Sequence, residues 1–128
     1  MPIVSELTPD ERKRYIEALR NRPPLPEPTP EVKAERERLL VLVHKAADML
    51  KTRFGVKRVI LFGSMAEPLL FRLDSDVDIA VEGLKADDYW TAWLEMEQII
   101  KGKSIDFIDI DDAKSPLRWA IDHYGIEI

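Results

Sequence analysis

Two aspartates, Asp76 and Asp78, stand one residue apart at the start of an apolar run that ends at Val81. Alternate side chains of an extended strand point to the same face, so we expect the two carboxylates to converge. Like charges at this spacing repel each other unless a cation lies between them. Carboxylate oxygens without a neighbouring His or Cys favour magnesium over zinc. The spacing therefore predicts a Mg²⁺ site, although an Asp-x-Asp sequence by itself is also typical of a solvated turn.

A calcium loop is the alternative interpretation of the same acidic segment. Residues 74–78, with the sequence DSDVD, match the first five positions of an EF-hand loop. That loop requires glycine at its sixth position, for a sharp turn, and a bidentate glutamate at its twelfth. This chain has Ile79 and Lys85 at those positions, so the sequence excludes an EF-hand.

A Gly-Ser pair, Gly63 and Ser64, directly follows the preceding apolar run and comes before a predicted helical turn at residues 64–67. Glycine allows the backbone to approach a phosphate closely, a helix N-terminus favours an anion, and Ser64 can add a hydroxyl donor. A Gly-Ser pair alone usually marks only a turn. Because this pair lies one short connection before the two aspartates, the combination predicts a site for a nucleoside triphosphate and its metal.

A third carboxylate, Asp106, lies within the apolar run of residues 104–110. A charge without a partner is costly to bury in a strand, so a role in the same site is the functional interpretation. Three carboxylates could hold two Mg²⁺ ions about 3.5–4 Å apart for a phosphoryl-type displacement. Asp106 would then assist the nucleophile as a ligand or base. Asp109 is the alternative third carboxylate, but it falls on the opposite strand face, which favours Asp106.

Capping patterns predict the helices that precede these residues. Thr-Pro pairs at residues 8–9 and 29–30 are typical of helix starts. The first pair predicts a short helix to about residue 20, and the second predicts a helix that ends at Gly55. Residues 21–30 contain five prolines and predict a semi-rigid linker between the two helices. The second helix places apolar side chains on one face: Leu39, Val43, Ala46, Leu50 and Phe54.

After Gly55 the spacing of the apolar residues predicts strands as well as helices. Three short apolar runs predict strands: residues 58–62, 76–81 and 104–110. Two further segments predict helices: residues 87–101, and residues 115–125 with Ser115 as cap. Residues 126–128 can add an edge strand. We therefore expect an α/β (α+β) chain with an N-terminal helical arm and linker at residues 1–30 and a small mixed sheet flanked by helices at residues 31–128.

The composition excludes several classes of protein. A chain of 128 residues with 45% hydrophobic and 34% charged residues predicts one folded domain rather than a disordered or membrane protein. The absence of cysteine excludes disulfides and thiolate metal sites, and the N-terminal residues do not match a signal peptide, which together predict a cytoplasmic location. A net charge of −5 disfavours nucleic acid as the main partner.

The remaining side chains that could do chemistry have structural interpretations. His44 and His123 lack metal-ligand spacing and are expected to be surface or capping residues. Core packing is expected for the aromatic residues of the last two helices more than a partner interface or base stacking: Tyr89, Trp90, Trp93 and Trp119.

The combination of motifs resembles the minimal nucleotidyltransferases of the DNA polymerase beta superfamily. Three segments carry the resemblance: LFGS at residues 61–64, DSDVDIAV at residues 74–81 and IDFI at residues 105–108. The resemblance implies a mixed sheet flanked by helices that binds magnesium and a nucleotide, ATP. It implies that Gly63 and Ser64 hold the triphosphate, that Asp76 and Asp78 carry the metals, and that Asp106 is the third-strand aspartate.

The resemblance covers about residues 32–128 and has two departures. The family often continues Gly-Ser with a turn of small residues, Arg and Gly, whereas residues 65–68 of this chain are Met-Ala-Glu-Pro. The connection to Asp76 is also one residue longer than the commonest family spacing. Glu67 adds negative charge near the phosphates and is expected to reduce triphosphate affinity or rate. Arg72 could compensate from the loop or be a solvated cation.

The acceptor of the nucleotide must come from elsewhere, because the chain offers no predicted acceptor domain. Short stand-alone members of the superfamily resemble the antitoxins of bacterial toxin-antitoxin pairs, whose partners are helical RNases of the HEPN class. The resemblance implies transfer of AMP from ATP to a tyrosine of such a toxin, within a possible homo- or hetero-oligomer. Two alternatives stay open: an antitoxin that acts by binding alone with a weak or vestigial nucleotide site, and a small-molecule nucleotidyltransferase with a separate acceptor-binding subunit.

Overall fold

The structure is a computed structural model that describes residues 8–21 and 26–128. Eight helices and strands of the described residues follow one another along the chain: α1 (Pro9–Asn21), α2 (Pro30–Phe54), β1 (Arg58–Phe62), β2 (Val77–Glu82), α3 (Tyr89–Ile99), β3 (Ile105–Asp109), α4 (Ser115–Tyr124) and β4 (Ile126–Glu127). Short 3₁₀ turns also occur: Gly63–Ala66, Ala86–Asp88 and Ile110–Asp112. The predicted order of elements is confirmed, while residues 22–25 of the predicted linker lie outside the described part.

The four strands form one mixed sheet in the order β3-β2-β1-β4. β1 pairs antiparallel with β2 and with β4, whereas β2 pairs parallel with β3. The predicted mixed sheet and the predicted edge strand at the end of the chain are therefore confirmed. Among the described residues, β3 is the other edge strand, with no strand neighbour on its outer side.

The ends of the long helix α2 follow from its sequence. The Thr29 hydroxyl accepts a hydrogen bond from the Val32 amide at 3.2 Å, which satisfies one of the unpaired donors of the first turn. Gly55 ends the helix with a positive φ of 68°. The predicted cap of α4 is wrong, because Ser115 is the first helical residue and Lys114 takes the cap position without a side-chain bond.

The sheet separates two apolar clusters. One face contributes Val77, Ile79 and Val81 of β2 to the main core, which also includes side chains of α2 and α3. The other face contributes Ile60 and Ala80 to a smaller cluster that α4 covers. Burial on both faces agrees with the continuous apolar sequences of β1 and β2.

Helix α3 buries a different face from the one that its aromatic residues suggest. Ala92 and Met96 are fully buried, and Tyr89 and Trp93 pack partly against the core. Trp90 is 69% exposed, so the prediction that it packs in the core is wrong. The buried stripe runs through residues spaced three or four apart from Tyr89, and Trp90 is one position off that stripe.

The N-terminal helix contacts the last helix. The Arg12 guanidinium lies 5.0 Å from the centroid of the Trp119 ring, within the range of a cation–π contact. Through this contact the N-terminal helix packs against the last helix of its own chain. None of the described helices is both long and apolar enough for a membrane span.

Candidate functional site

Asp78 and Asp106 lie side by side at the starts of two parallel strands. They are register partners in the β2–β3 pairing, and both belong to the sheet face that also carries Ala80. Asp78 is half-buried, because β2 is an inner strand. Asp106 is exposed, because β3 is an edge strand, so the expectation of a buried charge at this position is wrong. The structure nevertheless brings these two carboxyl groups together.

Asp76 lies immediately before β2 rather than inside it. The strand begins at Val77, whose amide donates to the Ser104 carbonyl at 2.9 Å. The predicted start of the strand at residue 76 is therefore one residue early, and Asp76 is exposed. Its negative charge is the smallest of the causes that raise the pKa of Asp78.

The pKa of Asp78 is raised from its ordinary value of 3.8 to about 7. Burial is the largest cause, because it disfavours the charged form. A hydrogen bond with Asp106 and the negative charges of Asp106 and Asp76 raise the pKa further. The three carboxyl groups are thus close enough to interact, and a divalent cation would relieve their repulsion.

Gly63 places the backbone directly against the Asp78 carboxylate. Phe62 is the register partner of Asp78, so the chain passes Asp78 as it leaves β1. Gly63 has a φ of 70°, and a Cβ atom there would lie 2.0 Å from Asp78 Oδ2. Only glycine fits this position without displacing the carboxylate. Gly63 is the first residue of the 3₁₀ turn Gly63–Ala66. The predicted helical turn is therefore confirmed, but it begins one residue before the predicted start.

An arginine that the motifs did not reveal holds this turn. Arg36 of α2 donates from Nε and Nη2 to the Met65 carbonyl oxygen, at 3.0 and 2.8 Å. The sequence contains a signal for it, because Arg36 lies four residues after Val32 and three before Leu39, on the apolar face of α2. A charged residue on such a face needs a polar partner. A helical projection of α2 would therefore have identified Arg36 as a residue with a specific contact.

The loop after the turn is closed by its own side chains. Glu67 Oε1 accepts from the Leu69 amide at 3.2 Å. The Arg72 guanidinium donates to the carbonyls of Leu69 and Phe71, at 3.0 and 2.8 Å, and the Phe71 side chain is fully buried. Glu67 and Arg72 were the two charged residues expected from the sequence to change phosphate binding. Both therefore make structural contacts within the loop.

Asp109 has a separate structural contact. Its Oδ1 accepts a hydrogen bond from the Asp111 amide at 2.9 Å and caps the turn Ile110–Asp112. It lies at the opposite end of β3 from Ile105, where the strand begins. The structure thus brings Asp106, rather than Asp109, beside Asp78.

The donor set fits a hard divalent cation. Asp76, Asp78 and Asp106 offer only carboxylate oxygens, which Mg²⁺ prefers. Within residues 8–21 and 26–128, no group of three or more His, Cys, Asp or Glu side chains is already arranged for metal ligation. The fit therefore rests on donor chemistry and on the raised pKa of Asp78, with exposed Asp76 and Asp106 as the residues that would join it.

Tyr89 lies close to the same edge of the sheet. Its ring stacks on Phe107 with centroids 5.1 Å apart, and its hydroxyl donates to the Phe107 carbonyl. Burial, and next the Asp106 charge, raise the pKa of Tyr89 above its ordinary value. Helix α3 is thus joined to β3 immediately after the third carboxylate.

The model of the family described as polymerase beta, nucleotidyltransferase matches residues 44–128, more than half of the chain. A search of curated protein sequences returned no match.

Solved structures are similar to this chain in fold. A chain from a mutant form of the toxin-antitoxin pair MntA-HpeT aligns with a TM-score of 0.56 at 21% identity, covering 67% of this chain and 70% of that one. A protein of Sulfolobus solfataricus assigned as a nucleotidyltransferase aligns with a TM-score of 0.52 at 17% identity, covering 78% of this chain and 87% of that one.

Proposed function

Because the chain belongs to the polymerase beta nucleotidyltransferase family, we propose that it is a magnesium-dependent enzyme that transfers AMP from ATP to a protein. Nucleotidyltransferases generally use a nucleoside triphosphate and a divalent metal ion. The finer assignment is an antitoxin that modifies a tyrosine of a HEPN-type RNase toxin. The proposed location is the cytoplasm, where ATP and such an RNase would meet.

One observation carries the proposal: Asp78 lies between Asp106 on the adjacent strand and the backbone of Gly63. The metal ligands would be Asp76, Asp78 and Asp106, and the triphosphate would be held by the backbone of Gly63 and the hydroxyl of Ser64. Bound Mg²⁺ would supply charge stabilisation for the triphosphate and the departing pyrophosphate. These five residues border one end of the sheet, where the acceptor oxygen would attack the α-phosphate.

The proposed transfer also requires removal of a proton from the acceptor. The acceptor tyrosine must lose its hydroxyl proton as its oxygen bonds to the α-phosphorus and the bond to pyrophosphate breaks. Asp106 is exposed and is therefore accessible to an acceptor hydroxyl from a partner protein. We assign it the role of ligand or base, while half-buried Asp78 is the ligand nearest the glycine turn.

A protein acceptor is supported by the surface of α3. Trp90 is 69% exposed and Leu94 is 62% exposed, one helical turn apart, and the Trp90 ring stacks on Trp93 with centroids 5.4 Å apart. Large exposed apolar groups that are adjacent to each other are typical of interaction sites. One protein of similar fold comes from a toxin-antitoxin pair, which favours a toxin as the partner over an unrelated protein.

Binding without transfer is the second candidate function. It is favoured by the absence, among the described residues, of a carboxylate group already arranged for a metal, and by Glu67, which adds negative charge beside the turn. A small-molecule acceptor held by a separate subunit is the third candidate. In that case the exposed apolar residues of α3 would bind the separate subunit.

The first two candidates differ in whether inhibition survives removal of this protein. The product of the neighbouring gene is treated with the chain, with or without ATP and Mg²⁺, and is then separated from it under mild denaturing conditions and refolded. Transfer predicts that RNase activity stays low only in the sample that received ATP and Mg²⁺. Recovery of the same activity in both samples would favour inhibition by binding alone.

A further inference from the structure

Arg36 joins two elements that are far apart in the sequence. It belongs to α2, and its guanidinium contacts the turn Gly63–Ala66 through the Met65 carbonyl, 29 residues later. Two N–H groups, on Nε and Nη2, donate to the same oxygen at 3.0 and 2.8 Å. Hydrogen bonds from a charged donor are roughly twice as strong as neutral ones. The contact therefore fixes the carbonyl of Met65, the residue that directly follows Ser64.

Met65 is held from both sides. Its side chain is fully buried in the main core, while its carbonyl faces the Arg36 guanidinium. A buried side chain fixes one end of the residue and the two hydrogen bonds fix the other. Rotation of the Ser64–Met65 segment would break one of these contacts, so its conformation is set before any nucleotide binds.

The guanidinium also supplies charge that the turn itself lacks. Residues 63–68, Gly-Ser-Met-Ala-Glu-Pro, contain no basic side chain and one acidic one. Within the described residues Arg36 takes part in no salt bridge, so its positive charge is not neutralised by a carboxylate there. It borders a groove of about 350 Å³ between α2 and residues 68–69, which keeps it accessible to solvent.

We propose that Arg36 is the positioning residue for the triphosphate: it holds the Ser64–Met65 segment in its phosphate-binding conformation and brings a positive charge behind it. This inference rests on the proposed function, because it assumes that the turn receives the phosphates of ATP. It assigns a role to α2 that lies outside the carboxylates and the glycine turn.

The test measures the affinity for Mg²⁺-ATP and for inorganic tripolyphosphate by calorimetry. Arg36→Met removes both donors and the charge while keeping a long apolar side chain. We expect it to weaken binding of both probes about tenfold or more, the size associated with a charge-assisted hydrogen bond. Arg36→Lys keeps the charge but not the two-donor geometry, so its affinity is expected to lie between those of Arg36→Met and the unchanged protein.

Arg38→Met is the matched control, because Arg38 lies on the same helix and pairs only with Glu35 at an exposed position among the described contacts. Its affinities are expected to stay within about twofold of the unchanged protein. Circular dichroism and thermal midpoints check that each variant folds. If Arg36→Met does not fold, Arg36→Lys decides, and unchanged affinity in that variant overturns the inference.

The outcomes separate the inference from the function on which it rests. If the unchanged protein binds neither probe, the proposed nucleotide site is wrong. If it binds both, but Arg36→Met binds them equally well, the nucleotide site stands and the role of Arg36 is wrong. Parallel loss in Arg36→Met and Arg38→Met would also contradict it, because charge alone, rather than the contact with Met65, would then explain the effect.

Discussion

Asp78 occupies a position where an ionised carboxylate costs stability in the metal-free fold. Its folded pKa of about 7 exceeds the ordinary value of 3.8, so the protonated carboxyl is favoured in the fold relative to the unfolded chain. Stability from this group is fully present below about pH 4 and is lost as the pH rises through about 7. A cation bound between Asp78 and its neighbours would reverse that loss, because it favours the ionised form.

We therefore predict that Asp78→Asn raises the thermal midpoint of the metal-free protein at pH 8, where the native carboxylate is ionised. The advantage should shrink at pH 5, where the native carboxyl is protonated in the fold. Thermal unfolding in the presence of a chelator measures both values. Asp109→Asn is the control, because asparagine keeps the side-chain oxygen that caps the turn and the thermal midpoint is expected to change little. A destabilised Asp78→Asn at pH 8 would show that the pKa of Asp78 is not raised.

Addition of Mg²⁺ at pH 8 should then raise the midpoint of the unchanged protein and not that of the Asp76→Asn, Asp78→Asn double variant. Ligand binding to the folded state stabilises it by mass action. The size of the shift should grow with Mg²⁺ concentration. Equal shifts in the two proteins would mean that the ion binds elsewhere.

Among the secondary-structure elements, the turn after β1 depends most on a single residue. Gly63 needs both a positive φ and the space that a side chain would take from the Asp78 carboxylate. Gly55, at the end of α2, has a nearly identical φ of 68° but no atom within 4 Å of its would-be Cβ. The two glycines therefore separate backbone strain from displacement of Asp78.

We predict that Gly63→Ala and Gly55→Ala each lower the free energy of unfolding by about 1–2 kcal/mol, the cost of a left-handed conformation with a Cβ. The Asp78 carboxylate can rotate away from the new methyl group, so Gly63→Ala should still fold. Only Gly63→Ala should lose Mg²⁺-ATP binding, as measured by calorimetry. Binding retained by Gly63→Ala would mean that the position of Asp78 beside the turn is unimportant.

The elements were largely predictable because their signals are local. The Thr29 cap, the Gly55 end of α2 and the apolar run of β1 each depend on neighbouring residues, and the structure confirms them. The outward position of Trp90 was not predictable from spacing, because Tyr89 and Trp90 offer two adjacent helical faces that differ by only 100°.

The site was predictable only in part. The convergence of Asp78 and Asp106 follows from strand alternation once the two strands pair, but their pairing and register are tertiary. The start of β2 after Asp76 depends on a bond to Ser104, and the Arg36 contact spans 29 residues. The position of Arg36 on the apolar face of α2 indicates that it needs a polar partner, but a single sequence does not show that the partner is the Met65 carbonyl. The roles proposed for these residues in catalysis stay predictions.

Over the whole molecule, the carboxylates and the exposed apolar residues lie on different elements. The site is at the starts of β2 and β3, while Trp90 and Leu94 lie on the exposed side of α3. Tyr89 joins α3 to β3 through the Phe107 carbonyl. A partner bound to α3 would therefore lie against the element that is attached to the edge strand of the site.

We predict that replacing both Trp90 and Leu94 by Ala weakens the complex with the neighbouring gene product about tenfold or more. This is the size expected for large side chains that become buried at the centre of an interface. The thermal midpoint of the isolated protein should change little, because both side chains are exposed. Val41→Ala is the control, since Val41 is a 57% exposed apolar residue of α2. Affinity unchanged by the double substitution would place the partner on another surface.

The proposed transfer of AMP is tested most directly by the mass of the partner protein. The neighbouring gene product is incubated with this chain, ATP and Mg²⁺, and its intact mass is measured, with the Asp76→Asn, Asp78→Asn double variant in parallel. We predict a gain of one or more AMP units, located on a tyrosine, with the unchanged chain and no gain with the double variant. An inhibited partner of unaltered mass, or an equal gain with the double variant, would contradict it.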